Sequence, residues 1–168
     1  MKRWLRFADA VSETAGRIAA WLAVALVALV FALVAVRYVL NTGSVAAQEA
    51  ALWLHGALFL LALPYALKHG AHVRVDVFSQ RWSERTRAWV DCAGIALLLL
   101  PLCVFLLWIS WDYVAASWAQ SEGSNQGGLP GWFLVKSLIP FSALLLILQA
   151  SAEALRACAR ARGERSDA

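Results

Sequence analysis

Charge is scarce in this chain. Of its 168 residues only 15% are Asp, Glu, Lys or Arg, and 61% are hydrophobic; an average soluble domain is roughly 25% charged. That shortage excludes a disordered chain, a nucleic-acid-binding tail and an ordinary water-soluble enzyme domain. Cysteine and histidine are also few, three of each. No C-x-x-C pair occurs. Cys92 and Cys103 share one apolar stretch, about 16 Å apart along a helix, which is too far for a disulfide. All three cysteines therefore read as inert apolar fillers that say little about compartment. His55 is the only histidine well inside an apolar stretch, so a bis-histidine haem site lacks its second ligand. His69 and His72 are too few for a metal site without a third ligand. A Gly-rich phosphate loop, a nucleophile elbow and an H-E-x-x-H motif are all missing. The chain thus reads as no enzyme, with no cofactor, no bound metal and no nucleic-acid partner.

What is present is long uncharged runs. Arg17 to Arg37 encloses 19 uncharged residues, Glu49 to Lys68 encloses 18, Asp91 to Asp112 encloses 20 and Lys136 to Glu153 encloses 16. The last run extends backward through Trp132, Phe133, Leu134 and Val135. About 20 apolar residues carry a helix across a hydrocarbon core of about 30 Å, and in lipid only internally hydrogen-bonded segments survive. The fold class is therefore all-α integral membrane, one domain over 1–168, with four transmembrane helices at about 18–39, 47–67, 92–111 and 132–155. The first run is too long for a cleaved signal peptide and lacks a small-residue cleavage site, so it reads as a retained anchor. Short interfacial amphipathic helices are expected at about 2–14 and 76–89, where Trp4 and Phe7, and then Phe78, Trp82 and Trp89, recur among basic residues.

The basic residues are distributed unevenly. Thirteen of the 15 lie in the N-terminal segment, around the second connection and in the C-terminal tail; the first and third connections carry none. The positive-inside rule then places both termini and the second connection in the cytoplasm of a multi-pass protein of the bacterial inner membrane. Trp21 and Tyr65 fall at the inner interface, and Tyr38, Trp108, Trp111 and Trp132 at the outer one, the depth amphipathic rings prefer.

Ionisable residues near span ends are the candidate functional positions. Arg37 and Glu49 flank the first external connection and suggest an ion pair between neighbouring helices, or a reach by one of them to a partner chain. Lys136 lies a turn into the fourth span, placed to snorkel outward or to meet a partner's acidic group. His72 and Asp76 follow the second span; Asp76 suits a helix N-cap, and His72 suits hydrogen bonds to headgroups, Asp76 or loop backbone. Residues 117–131, rich in Gly, Ser, Asn and Gln, read as an ordered turn or a flexible loop. Ala19, Ala23, Ala46, Ala50, Gly56, Ala57, Gly94 and Ala143 permit close helix packing, inside the bundle or against another protein. No span carries a mid-membrane carboxylate and no inverted repeat is visible.

These features together resemble a known family, the small DctQ-type membrane subunit of tripartite ATP-independent periplasmic (TRAP) transporters. The carriers are Arg37-Tyr38-Val39, Gln48-Glu49, the stretch Pro64-Tyr65-Ala66-Leu67-Lys68-His69-Gly70-Ala71-His72-Val73-Arg74-Val75-Asp76-Val77, and Gly127-Gly128-Leu129-Pro130 followed by Lys136, Pro140 and Gln149. The run His72-Val73-Arg74-Val75-Asp76 is the most specific. One departure is Gln48, where the family often has an acid. The resemblance implies a non-catalytic scaffold beside a large multi-span permease subunit, which would hold the substrate and sodium sites. It also implies a periplasmic substrate-binding protein, membrane lipids as surroundings, and sodium-coupled import of an organic acid or similar small solute. The competing readings are a self-sufficient small oligomeric transporter and the membrane anchor of a redox enzyme.

Overall fold

The computed structural model describes residues 2–71 and 82–163. Among these residues the chain forms four helices long and apolar enough to cross a membrane: α1 Lys2–Leu40, α2 Val45–Lys68, α3 Glu84–Ala119 and α4 Trp132–Ala161. The bundle has two unlike ends. One carries the start of α1, the end of α2, the start of α3 and the end of α4; we call it the terminal end. The other carries residues 41–44 and 120–131; we call it the loop end.

α1 alone is 39 residues, about 58 Å at about 1.5 Å per residue and far more than a hydrocarbon core of about 30 Å. The separate surface helix expected over 2–14 is absent, because that segment runs into the first span without a break. The reason is local. Proline is missing from α1, and its one glycine, Gly16, lies where a side chain would collide with the Tyr65 ring of α2. Gly16 therefore serves close packing rather than a kink. Leu5, Ala8, Ser12, Ala15 and Ala19 recur at spacings of three and four and are all buried, which is one face of a helix. That face seats against α4, where Leu5 and Ala8 meet Ala152 and Leu148. Trp4 and Phe7 lie outside that buried face and are exposed.

α2 starts at Ser44, whose hydroxyl accepts from the Ala47 N–H at 3.3 Å, satisfying one orphan donor of the first turn. Ser83 caps α3 in the same way, accepting from Thr86 N–H at 3.1 Å. The surface helix expected over 76–89 is thus continuous with the third span from Glu84 onward, and its residues 76–81 lie outside the described residues. Within α3 the backbone widens to a π-helical turn over Ile95–Leu99. Pro101 sits two residues past its end, without an N–H to donate and with a ring that would clash with the carbonyl four residues back. The wider turn accommodates both features, so the leucine run passes Pro101 inside one long helix.

α4 is the central helix and packs on each of the other three. In its most apolar window 28% of residues are buried, against 6 to 11% in the others. Most of its buried residues are small: Ser142, Ala143, Ala150, Ala152, Ala157, Ala159 and Ala161, beside Pro140, Leu146 and Gln149. In lipid, where tails are as apolar as leucine, small residues allow the close backbone approach that holds helices together. The Ser142 hydroxyl donates to the Leu60 carbonyl of α2 at 2.8 Å.

Cys92 and Cys158 form a disulfide between α3 and α4, with Cα atoms 5.5 Å apart. This corrects the reading of all three cysteines as inert fillers. The partner was 66 residues away, invisible to local spacing and brought near by α3–α4 packing. Cys103 is buried and free.

Candidate functional site

Two polar clusters close the two ends of the bundle. At the loop end, two carboxylates hold the 120–131 connection. The Glu49 carboxylate, in the first turns of α2, accepts from the Ser124 hydroxyl at 2.5 Å and from the Leu129 backbone N–H at 2.7 Å. Gly128 makes this possible: any side chain there would occupy the space of the Glu49 carboxylate. The connection is further closed by an isolated antiparallel bridge between Gly123 and Pro130 and by the Trp132 N–H donating to the Glu122 carbonyl at 3.0 Å. It is therefore the ordered turn of the two expected alternatives. Gly131 enters α4 with φ of 94°, in the left-handed region that favours glycine.

Glu122 is the second anchor. Its carboxylate accepts from Lys136 Nζ at 2.5 Å and from the Ser117 hydroxyl at 2.6 Å. The Lys136 hydrogen bond foremost, and then the one from Ser117, holds the Glu122 carboxyl below its ordinary value of 4.5. The Lys136 ammonium also lies over the Tyr113 ring, 4.2 Å from its centroid, a cation–π contact. Glu49, Gln48, Tyr113, Glu122, Asn125 and Lys136 line an open cleft of about 440 Å³ between α2, α3 and this connection.

At the terminal end the polar groups join helices directly. The Arg156 guanidinium of α4 bonds Asp9 of α1 at 2.5 Å and Glu153 at 2.6 Å. Gln149, fully buried, accepts from the Ser12 hydroxyl at 2.8 Å and donates to Glu153 at 3.1 Å. Every member has a partner, the condition under which a buried polar network specifies one packing. Glu13 of α1 takes Lys68 Nζ of α2 at 2.7 Å, and His69 Nε2 lies 2.8 Å from the same oxygen. Arg85 Nε donates at 3.0 Å to the Ala161 carbonyl, one of the orphan acceptors at the end of α4.

The sequence candidates separate on this geometry. The expected Arg37–Glu49 ion pair does not form. Successive helical residues point about 100° apart, and it is Gln48 that shares a cleft with Arg37, while Glu49 turns to the loop. Lys136 neither snorkels free nor waits for another chain, since Glu122 and Tyr113 of its own chain engage it. His72 and Asp76 lie outside the described residues. His55 is exposed. Asp9, Gln149, Arg156, Glu122 and Gly128 were not singled out in these roles by sequence reasoning. The spacing of Gln149, Glu153 and Arg156 on one helix face was a usable signal; the Glu49–Gly128 contact had none. Among the described residues no three His, Cys, Asp or Glu side chains converge to hold a metal ion.

A helix bundle of this kind, with four apolar spans and polar groups consumed in tying its ends, is a multi-pass membrane protein. Residues 7–160 match the family model described as tripartite ATP-independent periplasmic transporters, DctQ component, and the chain belongs to that family. It is thus the small membrane subunit of a TRAP transporter. A search of curated proteins finds no match.

Proposed function

We propose that this chain is the stationary membrane scaffold of a sodium-coupled, binding-protein-dependent importer of an organic acid or similar small solute. The observation that carries the reading is where the polar groups go. The Asp9–Glu153–Arg156–Gln149–Ser12 network, the Glu13–Lys68 pair and the Glu122–Lys136 pair all satisfy one another within the chain. A path for a polar solute needs polar groups gathered along an interior passage to replace its water; the exposed Arg37, Gln48 and His55 lie on an outer face, and the interior groups are spent on one another. Here they rigidify a support instead. On this reading the large permease subunit holds the substrate and sodium sites, this chain needs no cofactor and performs no catalysis, and a periplasmic binding protein meets the loop end. The distribution of Lys and Arg supports a bacterial inner-membrane location with the terminal end in the cytoplasm.

The test is reconstitution into liposomes under a sodium gradient. This chain alone is expected to give no uptake, and the large subunit with the binding protein should require it. Uptake by this chain alone, or full uptake without it, defeats the reading. The orientation is tested separately with an impermeant label. A reporter cysteine at Ser83 should be reached only from the cytoplasmic side and one at Asn125 only from outside.

A further inference from the structure

Setting Tyr and Trp aside, the exposed polar side chains in the four apolar stretches, among the described residues, are Arg37, Gln48 and His55. None of the three side chains has a hydrogen bond or ion pair among the described residues. They also share one side of the bundle. Arg37 and Gln48 line the same cleft at the loop end, beside Leu33, Val36 and Thr42. Gln48, Leu52, His55 and Phe59 are exposed at spacings of four, three and four, which makes them one stripe of α2. The stripe points away from both neighbours. α2 meets α4 through Trp53, Gly56 and Leu60, and meets α1 through Tyr65.

His55 lies ten residues into α2, about 15 Å along the helix and near the middle of the hydrocarbon core. Lipid tails offer an imidazole neither donor nor acceptor, so a histidine facing them is costly. The outward faces of α1 and α3 have no such problem. They carry Val24, Val27 and Phe31, and Leu98, Leu102 and Phe105, all suited to lipid.

We infer that the Arg37–Gln48–Leu52–His55–Phe59 face is the surface on which the large permease subunit docks. The matching transmembrane segment carries a hydrogen-bonding side chain opposite His55 and a carboxylate opposite Arg37. The inference rests on the subunit reading above and adds the face. Charge complementarity selects this occupant. A phospholipid headgroup reaches Arg37 but not the depth of His55. A second copy meeting this one stripe to stripe brings no free carboxylate there, because Glu49 is held by Ser124 and Leu129 and the exposed Asp112 stands on α3, off the stripe.

The experiment uses the full complex with a photo-crosslinking benzophenone residue placed singly at Leu52, Phe59, Leu98 or Phe105. Adducts to the large subunit are expected from Leu52 and Phe59 and not from Leu98 or Phe105. Adducts only from the α3 positions, a product of twice this chain's mass, or lipid adducts alone from Leu52 and Phe59 would each overturn the inference. Absence of the large subunit from the purified wild-type preparation would instead overturn the subunit reading beneath it. In parallel, His55→Leu should lower recovery of the large subunit about three- to tenfold, the range of one interhelical hydrogen bond in a membrane. The melting temperature of the isolated chain should not change, and His55→Gln should restore part of the loss. Unchanged recovery with His55→Leu would refute the bond assigned to it.

Discussion

The terminal end and the loop end are both built from carboxylates and cations, yet they do different work. At the terminal end the Asp9–Arg156 and Glu13–Lys68 pairs join one helix to another, and the surrounding positions on α4 include buried alanines. At the loop end the carboxylates of Glu49 and Glu122 hold a connection against the helices, next to an open cleft. The first arrangement fixes how the helices pack. The second fixes the shape of a surface. On the scaffold reading proposed above, the chain needs both, a rigid body and a defined face on one side of the membrane.

The largest expected effect breaks the terminal end. Arg156→Leu leaves Asp9 and Glu153 facing each other without a cation. Removing one partner of a buried charge network is strongly destabilising, and with Arg156 still 19% exposed a loss of about 2–3 kcal/mol is expected. Thermal unfolding in detergent measures it. Substitution of all three by apolar residues of similar size should recover much of the loss, since no uncompensated charge then remains.

Gly128→Ala comes next and addresses the other end. Its methyl group displaces the Glu49 carboxylate from Leu129 N–H and Ser124. Global melting should move little, because the helix contacts are untouched. Amide exchange over 120–131 should rise severalfold. If melting falls as far as in Arg156→Leu, the two ends are one cooperative unit and the contrast between them fails.

Acid should loosen the loop end more gently. The Glu122 carboxyl is held below its ordinary value, so its contribution is fully present above about 4.5 and is lost as pH falls through the lowered value. Loosening of 120–131 below that range, with no loosening near neutrality, is the expected titration of amide exchange. A transition centred near pH 6 would assign the loop's stability to another group.

The smallest effect concerns Arg37. It is exposed and unpaired among the described residues, so Arg37→Gln should change the isolated chain's stability by less than about 0.5 kcal/mol. Its coupling to Glu49 in a double-mutant cycle should be indistinguishable from zero. A coupling of about 1 kcal/mol or more would restore the ion pair that adjacency in sequence suggests.

That pair illustrates how far the sequence could be read. Arg37 and Glu49 were found as ionisable residues flanking a short turn, and both do stand at the loop end. Which of Gln48 and Glu49 faces Arg37 depends on the rotation of α2 about its own axis, and the uniformly apolar α2 carries little pattern to set that rotation. Lys136 was likewise found, while its partner Glu122 lies 14 residues earlier across a turn whose closure depends on Gly128, Pro130 and Gly131. The segment 2–14 read as a surface helix because its aromatic and basic residues fit one. Its other face, Leu5, Ala8 and Ser12, has the same period and found a partner in α4.

Sequence alone determined the solvent. Four uncharged runs of membrane length require helices in a bilayer, because hydrocarbon leaves backbone groups no other partner, and the uneven Lys and Arg support the proposed orientation. Tertiary structure decided the pairings: Arg156 with Asp9, Glu49 with the Leu129 N–H, Cys92 with Cys158, and His55 with nothing among the described residues. The physical reason is that transfer into lipid is a property of each segment by itself. A hydrogen bond between helices exists only once their rotation and depth are set, and small residues such as Gly16, Gly128 and the alanines of α4 set them by how closely they let the backbones approach.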